Sequence, residues 1–263
     1  MRALLICAAL LSAALAWPLG SPAQPLQAAE LAPNGRLRVG FQVASPILAK
    51  RAADGTVSGV VIDLGVFIAE RLGVVFVPVV YANQEAYGGS FGRGEWDLAL
   101  GVAGAAVRER TDTGPDFMLA DAMYIAAPGR EFADASSIDR AGVKVGVSRG
   151  GGSDQYLSRA LQSAQVFRVP GGVANAVEAL SNGSVDVWAA NPVTLQQIEQ
   201  ALAGAKLVPG AWTTAHYAAS LPKGRSVAAQ HRLAEIVNEA KRSGVVRAAI
   251  ERAGFKGVHV ALP

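Results

Sequence analysis

The chain is nearly devoid of cysteine: its one thiol, Cys7, lies within the first ten residues. Removal of a leader ending near residue 23 would leave no disulfide, thiol nucleophile or cysteine metal site. Histidine is almost as scarce. His216, His231 and His259 are far apart, and none has the HxxxH or HExxH spacing that sets two ligands on one helical face. Lysines and arginines are scattered rather than clustered with aromatics, which gives no nucleic-acid footprint. Long apolar runs are missing too. The longest early stretch, Ala3 to Ala16, is shorter than the roughly 20 residues of a membrane span. No glycine-rich loop is followed by the lysine of a phosphate-binding loop, so no nucleotide cofactor is implied.

Arg2 ahead of that apolar run, with Ser21 and Ala23 as small residues at a cut site, is the layout of a secretory signal over residues 1–23. Export as a free periplasmic protein is the expectation. The formal charge of +3 would fall by one with the leader, since Arg2 is its one charged residue. With 51% apolar residues, 263 positions suffice for a sizeable core, in one large domain or two modest lobes.

Strand and helix signals alternate. "RLRVGFQV" reads as a short buried strand. Asp54 and Gly55 mark a turn, and Asp63 is placed to cap a helix with apolar Leu64, Phe67, Ile68 and Leu72, stopped by Gly73. "VVFVPVVY" is the next strand. Phe91 lies near a helix end, Gly92 and Gly94 interrupt it, and "WDLALGV" is a buried strand. The second half repeats this plan. "VKVGVSRGGGSDQYLSRALQ" is strand, glycine loop and helix, "QVFRVP" a strand, "GGVANAVEALSNG" a helix ended by Asn182 and Gly183, and "VDVWAANP" the matching strand. Asp97 and Asp186 thus open equivalent strands in tandem α/β units. A polar helix follows around "VTLQQIEQALAG", and the tail carries two amphipathic helices with apolar Leu233, Ile236 and Val237, then Val245, Val246 and Ile250.

Two places can carry chemistry. Ser148 in "GVSRG" satisfies GxSxG between strand and helix, with Asp186 and His216 following in the order of an α/β-hydrolase triad, but no HGGG-type oxyanion segment precedes it. The small residues also fit a plain strand-to-helix loop whose first amides can bind an anion. Arg108 and Arg110, just after a strand, can clamp a carboxylate or instead pair with Glu109 and Asp112 in solvent.

The ordered set "LRVGF", "DGTVSGVVIDLGVFIAERLG", "GEWDLALGVAG", "RERTDTGPDF", "VKVGVSRGGGSDQYL", "LSNGSVDVWAANP" and "YAASLPKG" resembles the bacterial extracellular solute-binding proteins of family 3, the periplasmic receptors of polar amino-acid ABC importers. The resemblance spans nearly the whole mature chain. It implies an α/β two-lobe periplasmic binding protein fold of type II, each lobe a mostly parallel sheet flanked by helices, and no catalysis or metal. Lobe 1 would take residues 36–122 and 216–263, lobe 2 residues 123–215. A monomer would deliver a small polar, amino-acid-like or carboxylated solute to a permease in the inner membrane, without cofactor or nucleic acid.

By the same resemblance, the ligand would meet Phe41 near the first loop, Gln84, the strand-exit glycines Gly101 and Gly104, and either Arg108 or Arg110, with Arg108 favoured for a carboxylate. In lobe 2 it would meet Ser148, Gly151, Gly152, Ser153 and Asn191. Asn191 stands where ammonium-binding members place aspartate, and a neutral amide does not neutralise an ammonium. An ordinary α-amino acid is therefore not the expected ligand. Two alternatives share the scaffold: a dehydratase-like or esterase enzyme using Ser148, and a sensor subunit for a membrane signalling partner.

Overall fold

The computed structural model of the protein describes residues 28–262, so the expected leader over residues 1–23 lies outside the described residues. Among those described, no helix is long and apolar enough to cross a membrane.

The strands, in chain order, are β1 (Arg36–Gln42), β2 (Lys50–Arg51), β3 (Val57–Ser58), β4 (Val75–Tyr81), β5 (Leu98–Val102), β6 (Thr111–Ala126), β7 (Lys144–Ser148), β8 (Gln165–Val169), β9 (Val187–Ala190), β10 (Lys206–Leu207), β11 (Thr213–Pro222) and β12 (Val258–Val260). The helices are α1 (Val60–Leu72), α2 (Gln84–Gly89), α3 (Ala105–Arg110), α4 (Gly152–Ala160), α5 (Val173–Ser181), α6 (Pro192–Ala201), α7 (Val227–Arg242) and α8 (Val245–Ala253). Strand order in the large sheet is β4-β1-β5-β11-β6-β9-β7-β8, with β10 and β12 added to β6, while β2 and β3 form a separate hairpin.

Two parallel triads occupy the ends of this path. β4 and β5 flank β1 in parallel, and β8 and β9 flank β7 in parallel. Between them, β11 and β6 run antiparallel to each other and to their neighbours β5 and β9. Each triad is covered on both faces, as parallel sheets require. α1, α7 and α8 bury Leu64, Ile68, Leu233, Ile236, Val246 and Ile250 on one face of the first, and Tyr87, Phe91 and Trp96 fill the other. Around the second triad, the period of two along β9 separates Trp188, packed with α5 and α6, from Val187 and Ala189, packed on the face of α4. This is the two-lobe mixed α/β architecture that the sequence predicted.

The duplicated aspartate does the same work in both lobes. Asp97 Oδ2 accepts from the backbone N–H of Arg38 at 3.0 Å, and its carboxylate also receives the Arg38 guanidinium at 2.9 and 2.7 Å. Asp186 Oδ2 accepts from the N–H of Lys144 at 2.9 Å, with Arg130 on the other oxygen. In return, the amides of Asp97 and Asp186 donate to the carbonyls of Arg38 and Lys144, both at 2.8 Å. Each carboxylate therefore pins the start of a buried strand to its parallel neighbour.

At two places the structure goes beyond the sequence pattern. α1 begins at Val60 behind Gly59, whose φ of 138° calls for glycine, so Asp63 is not its cap. Asp63 lies in the first turn and holds Arg252 at 2.6 Å. The segment from Thr111, to which the sequence pattern assigns no element, is the start of a 16-residue strand. Gly114 and Pro115 obscure it, yet the register with β11 slips between Ala218 and Ser220, where a residue lacking an N–H costs no ladder bond. Gly114 is also required sterically, because a Cβ there would lie 2.8 Å from the Ala219 carbonyl oxygen.

Candidate functional site

Parallel strands aim their carboxyl ends, and the loops and helix starts beyond them, at one edge of each lobe. At that edge lies a cavity of about 520 Å³. One wall is the loop Ala44–Ile47 that leaves β1, and the opposite wall is the turn Asn191–Thr194 that leaves β9 and opens α6. The floor is the pair of connecting strands, through Ala120 and Ala122 of β6 and Thr213–Ala215 and Tyr217 of β11. A ligand here would touch both lobes and the strands that join them.

The lining has no Asp, Glu, Lys, Arg or His side chain. Its polar groups are the hydroxyls of Ser45, Thr194, Thr213, Thr214 and Tyr217 and the Asn191 amide. Burial pushes the Tyr217 phenol up to about 12, so it stays neutral over any ordinary pH range. Thr214 Oγ1 donates to Asp121 at 2.8 Å, and that carboxylate also lies 3.7 Å from His259. Asn191 is the N-cap of α6, its Oδ1 accepting from Thr194 N at 3.1 Å, and Pro192 follows as the first helical residue, where its missing N–H costs nothing. The Asn191 amide nitrogen is the part of that side chain left for a ligand.

Of the residues expected to bind ligand, Asn191 lines this cavity. Phe41 does not reach solvent; at 0% exposure it belongs to the lobe 1 core. Gln84 is the exposed first residue of α2. Gly101 makes room for Tyr87, whose hydroxyl would stand 2.9 Å from a Cβ at that position, and Gly104 is the N-cap of α3. Arg108 donates through Nε to the Ala103 carbonyl at 2.9 Å and places Nη2 3.7 Å from Asp116. Arg110 donates to the carbonyls of Gly88 and Phe91 at 3.1 and 2.8 Å, over the Phe91 ring. Both arginines are thus engaged with lobe 1.

On the other lobe, Ser148 ends β7, Gly151 is the N-cap of α4, and Gly152 and Ser153 form its first turn. Asp154 organises this loop. It accepts from Gly150 N at 2.9 Å and Ser158 Oγ at 2.8 Å and pairs with Arg168 at 2.9 Å, and the Gly150 amide foremost holds its carboxyl below the usual aspartate range.

The hydrolase-like triad does not assemble. Ser148 is at the carboxyl end of β7, whereas Asp186 bonds Lys144 at its start, on the order of 13 Å away along the strand. His216 Nδ1 is 2.6 Å from Asp116 instead.

Sequence reasoning missed Ser45, Thr194, Thr213 and Thr214, because nothing in their local pattern marks them; the loop after β1 and the threonine strand meet by tertiary pairing alone. Behind the loop, Gln42, the last residue of β1, is 6% exposed, and its Oε1 is buried without a partner among the described residues.

No protein-family model matches the chain, and no curated protein matches it in sequence. Solved structures do. The chain is similar to the L-cystine solute receptor of Neisseria gonorrhoeae in its unliganded open conformation, with TM-score 0.72, 18% identity, and coverage of 90% of this chain and 99% of that one. An ancestral cationic amino-acid solute-binding protein gives TM-score 0.66 at 19% identity, covering 86% and 98%. An ancestral cyclohexadienyl dehydratase gives 0.61 at 20%, covering 83% and 92%. At such identities the likeness is one of fold, and the fold is that of the two-lobe type II periplasmic binding proteins.

Proposed function

We propose that the chain is the solute-binding receptor of an ABC importer, acting in the periplasm as a monomer and capturing a small polar solute between its lobes. The observation that carries this reading is the 520 Å³ cavity, walled by the strand exits of both lobes and floored by the two strands that connect them. A solute bridging those walls stabilises the conformation in which they are close, which is how a hinged receptor reports occupancy to a permease. Proteins of this fold include, by name, a cationic amino-acid solute-binding protein and an L-cystine solute receptor, which supports a small polar solute in outline.

The enzyme reading has less support. One relative in fold is a dehydratase ancestor, but the cavity lining supplies no carboxylic acid or imidazole to move a proton.

A thermal-shift screen of amino acids, organic acids, amines and opine-like compounds tests the receptor reading. At a hundredfold excess over Kd a true ligand adds about 2.7 kcal/mol of apparent stability. Small-angle scattering should then show a smaller radius of gyration for the liganded protein. A screen without stabilisation, or turnover with labelling of Ser148 by a serine-reactive probe, would reject it.

A further inference from the structure

We propose that the solute held in this cavity is uncharged at neutral pH, an amide, alcohol or lactam with an apolar body, rather than a zwitterion, carboxylate or ammonium. The inference rests on the receptor reading and narrows it.

An ion that leaves water must recover its hydration from opposite charge or from several converging hydrogen bonds. The walls facing this cavity provide Ala, Pro, Ile and Val surface with a few hydroxyls and one amide, and no ionisable side chain besides a phenol that stays protonated. The ionic groups on the connecting strands are already engaged. Asp121 holds Thr214 Oγ1 and faces His259, and Asp116 holds His216 and faces Arg108, whose Nε is on the Ala103 carbonyl.

The start of α6 offers an anion little more. Its first residue is Pro192, which has no N–H; Asn191 Oδ1 occupies the Thr194 amide; and the Leu195 amide is bonded to the Asn191 carbonyl at 3.0 Å. Only Val193 contributes a first-turn amide not engaged in these bonds. What remains is a set of neutral donors and acceptors: the Asn191 Nδ2 group, the Ser45, Thr194 and Thr213 hydroxyls, and the Tyr217 phenol. Such groups hold a carbonyl or a hydroxyl well, and the apolar walls hold a short hydrocarbon. At about 520 Å³ the space suits a small molecule of that kind.

The test uses matched probes differing in ionisation: valeramide against valerate and pentylammonium, and N-acetyl-L-leucinamide against L-leucine, each followed by thermal shift and calorimetry. At least one uncharged member should raise Tm, its affinity unchanged between low and high salt, and no charged member should do so. Asn191→Asp keeps an N-cap acceptor while adding an anion to the wall, so the fold is preserved. It should admit pentylammonium at least tenfold more tightly than wild type does. Ala122→Leu, which fills the floor, should remove the response to the uncharged probe, and circular dichroism checks that this variant folds. A charged probe that stabilises the wild type and loses its effect in Ala122→Leu refutes the uncharged-solute inference and leaves the receptor reading standing. Absence of any shift, from charged and uncharged probes alike and from the wider screen, refutes both.

Discussion

Replacing Asp97 by alanine removes three hydrogen bonds from a site where the carboxylate side chain is 3% exposed and its arginine partner 41%. The two partners do not suffer alike. Half-solvated, the Arg38 guanidinium recovers water when the carboxylate is lost, so its share is that of a screened pair, about 0.2–1 kcal/mol. The Arg38 backbone N–H lies inside the sheet edge and is left unpaired, costing about 1–3 kcal/mol. The expected loss is about 1–4 kcal/mol, or about 2–16 °C in Tm for a chain of this size. Asp97→Asn retains an oxygen for the amide and should cost about half as much. Asp186→Ala strands the Lys144 amide in the same way, and because the two carboxylates sit in different lobes their losses should add to within about 0.5 kcal/mol. Urea unfolding followed by tryptophan fluorescence and far-ultraviolet circular dichroism measures all of these. A loss below 1 kcal/mol for Asp97→Ala, or an asparagine variant as damaging as the alanine one, would refute the claim that these aspartates pin the parallel strands.

Further outcomes follow from the same geometry. Gly146→Ala places a methyl 2.4 Å from Trp188 Cε3 in the lobe 2 core and should destabilise by about 2 kcal/mol, visible as an unfolding transition at lower urea concentration. Asp139 accepts from the amides of Ala164, Ser163 and Gln162, which hold its carboxyl below the usual range; its native pKa being depressed, its stabilisation is present above about pH 3.8 and is lost as pH falls through the native value. Asp139→Asn should flatten stability over that acid window in pH-dependent urea melts, leaving the rest of the profile unchanged. Arg108→Ala should alter affinity for an uncharged solute by less than twofold in calorimetry. A tenfold loss with a carboxylate ligand would instead assign Arg108 to the ligand.

The alternation of strands and helices, the glycine stop at Gly73, the helix end at Asn182 and the paired strand starts at Asp97 and Asp186 are local statements, written in periods of two and 3.6 residues and in backbone angles that few residues tolerate. They were readable without the structure because each depends on neighbours within about one turn. The long strand β6 was not, since its Gly114 and Pro115 are tolerated through a register slip against β11, roughly a hundred residues away in the chain. Nor was the burial of Phe41, because an apolar residue at a strand end faces core or cleft according to the sheet's twist and packing. The cavity itself is wholly tertiary. Ser45, Asn191 and Thr213 belong to three distant segments that meet because β11 and β6 pair between the lobes, while Arg108 and Arg110 are drawn to carbonyls and a carboxylate of their own lobe. Sequence chemistry assigned the scaffold and its direction of strands; the pairing of remote strands decided which side chains a solute meets.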